Sequence, residues 1–296
     1  MVFEKILNKF SDRFNPGRSD TLKTADMRTV ANETLDPGMV TTEGSYGFIS
    51  IQPMEKHTAT VIWLHGLGGS PHGMLTCANM LRENAGVEHV KFIFPQAHRM
   101  AITGARGASM NSWFDCFSFD YENRDEDEPG LYRAVERIND IVSAEEEEHN
   151  IPSSRIIVGG ISQGSAVSLL TALTTKRPLA GVFVLAGYIP LRRKTKEVAS
   201  PLAPTVPIFW GHGRLDFKVK YDFSFQSARA LSSDLGIPFH ESDKRLTPDD
   251  FKEPGSAAGV RFMSYDHLGH WMNSSEMEDL HTWMTALLPK LTPHQV

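Results

Sequence analysis

The chain has few cysteines and no long apolar run, and both shortages exclude classes of protein. Its 296 residues include two cysteines, Cys77 and Cys116, which are too few for a disulfide framework and belong to no zinc-type Cys/His cluster. No stretch approaches the roughly 18 apolar residues of a membrane span. The first residues, "MVFEKILNKFSDRF", lack the continuous apolar core of a secretory signal. We therefore expect a cytoplasmic protein with reduced thiols.

A basic excess is also missing. The chain has 30 Lys and Arg residues against 36 Asp and Glu residues, a net charge of −6, whereas general nucleic-acid binders are usually basic. The glycine-rich stretch "LHGLGGS" contains neither the GKS/T of a phosphate-binding loop nor the GxGxxG of a dinucleotide-binding turn. We expect neither a nucleic-acid partner nor a nucleotide at this stretch.

The N-terminal part is polar and mixed, and we assign residues 1–45 to an irregular extension. Within it, the apolar residues of segment 1–14 recur at helical spacing on one face: Phe3, Ile6, Leu7, Phe10 and Phe14. This spacing fits a short amphipathic helix that makes, at most, peripheral membrane contact. It equally fits a helix packed on the protein, or a frayed terminus.

From Tyr46 onward, short apolar runs alternate with segments of helical periodicity. Runs such as "ATVIWLHG" and "VKFIFPQA" are almost continuously apolar, as in buried parallel strands, while "GLYRAVERINDIV" has one apolar helical face. This alternation predicts an α/β fold, with a mostly parallel central sheet and helices on both faces. We assign 46–296 to one domain and expect the polar segment 238–259 to leave its compact core.

A serine between two glycines stands where a strand is predicted to pass into a helix. The segment Gly160-Ile161-Ser162-Gln163-Gly164 fits G-x-S-x-G, in which a sharp turn projects the serine hydroxyl above the sheet as a nucleophile. An ordinary tight turn would also place a serine between glycines. The apolar strand before the motif and the helical pattern after it favour the nucleophile, and we assign that role to Ser162.

A serine hydroxyl needs a base, and the base needs an orienting carboxylate. In this topology the acid and then the histidine follow the serine, at the carboxyl ends of later strands. Asp216 follows "VPIFWGHG" and His270 follows "VRFMSYDHLG", so we select these two residues. Four competitors are expected to be structural or solvated instead: Asp222, Asp266, His267 and His212.

Attack by a serine on a carbonyl carbon also produces an oxyanion, which needs hydrogen-bond donors. One is expected from the backbone N–H after the nucleophile, that of Gln163, and another from the loop after an earlier strand. The glycines of "LHGLGGS" allow close backbone approach, and the Leu67 N–H is our candidate there. His65, at the start of this loop, is expected to orient it by hydrogen bonds.

Several long motifs, in this order, resemble the acyl-protein thioesterase/lysophospholipase/carboxylesterase family of small α/β-hydrolases. The resemblance covers most of residues 58–292 and rests on these segments: "VIWLHGLGGSPHGM", "FIFPQA", "SWFD", "EDEPG", "IPSSRIIVGGISQGSAVSLLTALTT", "LAGV", "YIPLR", "GHGRLD" and "YDHLGH". It implies an α/β-hydrolase catalytic domain without a metal or organic cofactor. The family's triad falls on Ser162, His270 and Asp216, and its oxyanion hole on Leu67 and Gln163.

The resemblance implies hydrolysis, through an acyl-enzyme, of thioesters on S-acylated proteins, or of lysophospholipids and small carboxylic esters. The sequence departs from the family where Ser165 replaces a glycine and where "FKVK" follows the aspartate in place of Pro-Leu-Val-Pro. The segment "AITGARGASMN" is polar where the family is apolar, and Gly104 and Gly107 are expected to make it pliable. Arg106 and Trp113 are candidate substrate-binding residues.

Two further functions stay open. The first is an esterase or thioesterase for a polar small molecule in a specialised pathway, which Arg106 and its polar segment favour. The second is a catalytically silent hydrolase fold used for binding, which the intact triad disfavours. The expected partner is an acylated protein or a small ester or thioester, and nothing in the sequence specifies an oligomeric state.

Overall fold

The structure, a computed structural model, describes residues 40–43 and 47–292. The strands are β1 (Val40–Glu43), β2 (Phe48–Ile51), β3 (Ala59–Leu64), β4 (Val90–Pro95), β5 (Arg99–Ile102), β6 (Ala108–Asn111), β7 (Ile156–Ile161), β8 (Gly181–Leu185), β9 (Ile208–Gly213), β10 (Phe239–Ser242) and β11 (Val260–Tyr265). The α-helices are α1 (Pro71–Arg82), α2 (Glu128–His149), α3 (Gln163–Thr174), α4 (Thr195–Val198), α5 (Tyr221–Leu235) and α6 (Ser274–Leu287).

Nine of these strands form one sheet in the order β1-β2-β4-β3-β7-β8-β9-β11-β10. The pairs from β4 to β10 are all parallel, and only β2 runs antiparallel to its two neighbours. Strands β5 and β6 form a separate antiparallel hairpin. The predicted fold class, α/β with a mostly parallel central sheet, is confirmed.

Apolar side chains pack on both faces of the sheet, because its central strands are buried along their whole length. Helices α2, α3 and α5 cover one face, where Val158 and Trp210 are fully buried. Helices α1 and α6 cover the other, around Trp63, Phe183 and Trp283. In the ranges described, no helix is both long and apolar enough to cross a bilayer.

The structure differs from expectation at both ends of the sheet. Residues 1–45 were expected to be irregular, but Val40–Glu43 form β1, which pairs with β2. The segment 238–259 was expected to leave the core, but it begins with β10, which extends the sheet beyond β11. An edge strand needs only backbone partners on one side, so neither segment shows the apolar pattern that marks the inner strands. The candidate helix in 1–14 lies outside the described residues.

Candidate active site

The serine of the G-x-S-x-G segment stands between β7 and α3 in an unusual backbone conformation. Ser162 has φ 55° and ψ −118°, a region in which a non-glycine residue is strained. The flanking glycines meet a different demand, because a side chain would collide with the end of β3. A Cβ at Gly160 would lie 2.6 Å from the Leu64 carbonyl oxygen, and one at Gly164 would lie 2.5 Å from that of His65. The predicted strand–turn–helix around this serine is therefore present.

Three of the predicted site residues lie in one chain of short contacts. His270 Nε2 is 3.0 Å from Ser162 Oγ, and His270 Nδ1 is 2.7 Å from Asp216 Oδ2. An ionised carboxylate can only accept, so Nδ1 carries the proton and Nε2 is left to accept from the serine hydroxyl. The competitors Asp222, Asp266 and His267 are exposed, and Asp266 pairs with Arg214.

The carboxylate of Asp216 is buried and accepts on both oxygens. Oδ1 accepts from the backbone N–H groups of Lys218, at 2.8 Å, and Val219, at 3.0 Å. Oδ2 faces His270 and also His212, whose Nε2 is 3.3 Å away. Burial alone would raise the pKa of Asp216, but the hydrogen bonds from the two histidines outweigh it and hold the pKa well below its usual range. Asp216 is therefore ionised at neutral pH.

His65 fixes the glycine-rich loop after β3, as the sequence predicts. Its Nδ1 donates to the Gly66 carbonyl oxygen at 2.8 Å, and its Nε2 accepts from the Ala97 N–H at 3.1 Å. Burial lowers the pKa of His65 to about 4, so the ring is neutral at physiological pH. The loop is thereby held against the serine turn, where a Cβ at Gly66 would lie 3.4 Å from that of Ser162.

The two oxyanion-hole candidates, Leu67 and Gln163, lie on the two segments that meet at Ser162. Leu67 comes next after Gly66 on the loop beside Ser162, and Gln163 is the first residue of α3. A backbone N–H at that helix position has no acceptor one turn back, so it is free to bind a ligand oxygen. Leu67 directly follows a residue whose Cβ position lies 3.4 Å from that of Ser162, and Gln163 directly follows Ser162 itself. Their role as oxyanion donors stays a prediction.

The side chain of Gln163 has a second task that the sequence analysis missed. Its Oε1 accepts from the Trp113 N–H at 3.1 Å, and its Nε2 donates to the Phe114 carbonyl oxygen at 2.8 Å. Trp113 in turn donates from Nε1 to the His65 carbonyl oxygen at 2.7 Å. Trp113 is buried and braces the serine turn and the glycine-rich loop, and its predicted contact with substrate stays a prediction.

The segment carrying Arg106 forms the tip of the β5–β6 hairpin. The start of the turn at this tip is fixed, because Thr103 donates from its N–H and its hydroxyl to Asp115, at 2.8 Å and 2.5 Å. Gly104 also donates to the Cys116 carbonyl oxygen at 2.7 Å, which restrains the backbone there. Arg106 is exposed, and no hydrogen bond or ion pair between described residues ties it to the serine.

The residue that replaces a family glycine in the serine turn is also accounted for. Ser165 is fully buried and donates from its hydroxyl to the Ser162 carbonyl oxygen at 2.6 Å. A buried hydroxyl with a partner carries little penalty, so this departure leaves the turn intact. Ser165 adds one bond to the backbone of the residue whose conformation is strained.

The strand order and the strand–turn–helix at Ser162 are those of an α/β-hydrolase. The sequence profile of the phospholipase/carboxylesterase family matches residues 47–247. The chain belongs to this family.

Curated relatives and solved structures agree with this assignment. Acyl-protein thioesterase 1 of Cryptococcus neoformans var. neoformans serotype D (strain JEC21) is 38% identical over 242 residues, which cover 81% of this chain and 97% of the relative. The protein of the same name from Schizosaccharomyces pombe is 36% identical over 208 residues, covering 69% and 91% of the two chains. Acyl-protein thioesterase 2 of Zea mays superposes with a TM-score of 0.65 at 26% identity, covering 82% of this chain and 100% of that one. SOBER1 of Arabidopsis thaliana shares the fold, with a TM-score of 0.66 at 23% identity, covering 78% of this chain and 99% of that one.

Proposed function

We propose that the protein is a serine hydrolase that cleaves acyl thioesters or carboxylic esters through a Ser162–His270–Asp216 triad. The observation that carries the proposal is the pair of contacts at His270, 3.0 Å to the serine hydroxyl and 2.7 Å to the aspartate. These contacts occur at a strained turn in a chain that belongs to a phospholipase/carboxylesterase family. Membership alone would leave the reactive residues unassigned.

The proposed reaction has two halves. Ser162 Oγ attacks the acyl carbonyl carbon while His270 Nε2 takes its proton and returns it to the leaving thiol or alcohol. The backbone N–H groups of Leu67 and Gln163 stabilise the oxyanion that forms. Water then attacks the acyl-enzyme, again with His270 as base, and frees Ser162. Asp216 holds the imidazole in the required tautomer throughout.

The names of the curated relatives favour an S-acylated protein as substrate, since those relatives are acyl-protein thioesterases. A second candidate, a polar or anionic small ester or thioester, is favoured by Arg106. This residue is an exposed cation on a hairpin that contacts the glycine-rich loop, where Asn111 Nδ2 donates to the Gly69 carbonyl oxygen at 2.8 Å. The two candidates share the triad and differ in the acyl group they accept.

Replacing the nucleophile tests the reaction class. Ser162→Ala should reduce kcat by roughly 10⁴–10⁶ without unfolding the protein, because the residual rate comes only from binding and the oxyanion donors. It should also abolish labelling by a fluorophosphonate probe, which reacts with activated serines. Ser168→Ala is the matched control: Ser168 lies on α3, the helix that follows Ser162, is also buried, and its replacement is expected to keep both turnover and probe labelling. Near-normal turnover in purified Ser162→Ala protein would refute the mechanism.

A series of acyl nitrophenyl esters and acyl thioesters from C2 to C16, below their micellar concentrations, separates the two substrate candidates. Each methylene buried in an apolar groove is worth about 0.8 kcal/mol, or roughly 4-fold in kcat/KM. We expect this gain to flatten beyond medium chains, and Arg106→Ala to lower kcat/KM only for anionic or polar acyl groups. Arg99→Ala, at the base of the same hairpin, is the control. A steady climb to C16 with no effect of Arg106→Ala would leave long-chain acyl proteins as the substrate.

A further inference from the structure

A second histidine lies against Asp216. His212 is the fifth residue of β9, and its side chain is fully buried. Its Nε2 is 2.9 Å from the Val219 carbonyl oxygen and 3.3 Å from Asp216 Oδ2. The sequence analysis expected His212 to be structural or solvated, yet the strand delivers it to the carboxylate that orients His270.

The surroundings determine which nitrogen of His212 carries its proton. Both neighbours of Nε2 are acceptors, a carbonyl and a carboxylate, so Nε2 must be the donor and shares one N–H between them. The other nitrogen, Nδ1, is buried and has no hydrogen-bond partner among the described residues. A proton on Nδ1 would therefore be a buried donor without an acceptor, which is costly.

We propose that His212 is a positioning residue for Asp216, in an extended array Ser162–His270–Asp216–His212. The inference rests on the proposed function and adds to it. With His212 in place, Asp216 Oδ2 faces two histidine nitrogens, at 2.7 Å and 3.3 Å, while Oδ1 accepts from the N–H groups of Lys218 and Val219. The same imidazole also holds the Val219 carbonyl, so one side chain fixes both the carboxylate and the turn that carries it.

Losing this donor should change how the His270–Asp216 pair binds its proton. The activity requires the pair without its extra proton, so the acid limb of kcat/KM against pH reports its titration as a unit. A carboxylate with one donor fewer is more basic. The pair then takes up its proton at a higher pH, and the acid limb moves upward.

Other titratable groups lie around Asp216, and they are the same in the wild type and in the His212 variants compared below. Tyr121, on the loop before α2, is neutral, because burial raises its pKa to about 12. Glu276, on α6, favours its neutral form, because burial raises its pKa well above the usual range. Lys218 lies on the same loop as Asp216, and a lysine loses its proton on the alkaline side of the pH profile. The ring of Tyr221 lies beside that of His212, with the ring centroids 6.1 Å apart.

Two pairs of variants test the inference with a soluble ester as substrate. His212→Leu removes the donor at similar volume, and His212→Asn keeps an amide that is too short to reach Oδ2. Both should lower kcat about 10- to 100-fold with little change in KM, and move the acid limb upward by about 0.5–1 pH unit. His212→Gln places an amide N–H at about the reach of Nε2 and should restore the wild-type limb and most of kcat. Tyr221→Phe, which removes the 2.7 Å contact to Ser264 Oγ, is the packing control and should leave the limb in place.

The opposite result is equally definite. If His212→Leu and His212→Asn keep the wild-type acid limb, and lose activity only in proportion to their folded fraction, His212 is structural and the inference is overturned. Should the Leu variant fail to fold, the comparison of Asn with Gln decides. Ser162→Ala is measured alongside these variants. If it is active, the proposed function fails, and this inference fails with it. If it is inactive, an unmoved acid limb in the His212 variants overturns the role of His212 alone.

Discussion

Two buried carboxyl groups near strand β9 have opposite surroundings. Asp216, in the loop after the strand, has donors on both oxygens. Glu276, in the first turn of α6, is fully buried against Gly211 of the same strand, and neither of its oxygens has a partner among the described residues. The two groups share the same chemistry and a similar lack of water.

Their pKa values move in opposite directions as a result. Burial raises the pKa of Glu276 well above its usual range, and the nearby charges of Asp279 and Asp216 add to the rise. For Asp216 the hydrogen bonds overcome burial and lower the pKa. Asp279, one turn further along α6, is held by Arg245 Nε at 2.8 Å and by the Tyr265 hydroxyl at 3.0 Å. The number of hydrogen-bond donors, and not the degree of burial, therefore decides which of these carboxyl groups is ionised. Asp216, beside His270, is one that is.

Replacing Asp216 by a neutral residue, so that it is uncharged like Glu276, should have the largest effect of the three changes, and the effect is on kcat. Asp216→Asn is expected to lower kcat about 10⁴-fold, because an amide no longer selects the required imidazole tautomer. Steady-state kinetics on a soluble ester, with circular dichroism to confirm folding, measures this. Asp222→Asn, an exposed aspartate in the first turn of α5, is the control and should change kcat less than 2-fold by the same reasoning. A larger loss in the Asp222 variant would show that the acid has been misassigned.

Removing the ionisable group at Glu276 should change how stability depends on pH. Folded Glu276 keeps a proton that the unfolded chain releases above about pH 4.3. The wild type therefore loses stability as pH rises from there toward the folded pKa, by up to about 1.4 kcal/mol per pH unit, while Glu276→Gln does not. Urea unfolding between about pH 5 and 8 should show the Gln variant gaining on the wild type at each step. Glu278→Gln, on the exposed side of the same helix, should keep the wild-type slope, and parallel slopes for all three proteins would mean that Glu276 is ionised.

The smallest effect is expected at the contact between Gly211 and Glu276. A Cβ at Gly211 would lie 2.3 Å from Glu276 Oε1, so Gly211→Ala should destabilise the protein by about 1–3 kcal/mol. In a Glu276→Ala background the same change should cost about 1 kcal/mol less, because the carboxyl group is gone. A double-mutant cycle of unfolding free energies measures this coupling. Strict additivity would place the obstacle elsewhere.

The inner strands and the order serine, aspartate, histidine were predictable because their signals are local. A strand buried on both faces is apolar along its length, as in Ile208–Trp210, and the serine turn is encoded within five consecutive residues. Fold topology then places Asp216 and His270 at the same edge of the sheet as Ser162. These inferences need no knowledge of which distant side chains touch.

What could not be predicted depends on such contacts. The Gln163 side chain bonds to a segment about 50 residues earlier, and no short motif encodes that pairing. His212 is four residues from Asp216, a spacing that is uninformative until the turn between them is known. Glu276 follows Asn273 in a helix start, where a glutamate usually remains in water, and only the packing of α6 on Gly211 shows it turned inward.

Strand β10 affects how readily two copies of the protein could pair through the edges of their sheets. A parallel sheet ending at β11 would offer a row of free N–H and C=O groups beside apolar side chains, a template on which a second chain could extend the sheet. β10 covers that row with four residues, of which His240 and Glu241 are exposed. A strand this short, with polar side chains outward, is a poor template in its turn. Through β10, the segment 238–259 thus leaves only a short, polar strand at this edge of the sheet.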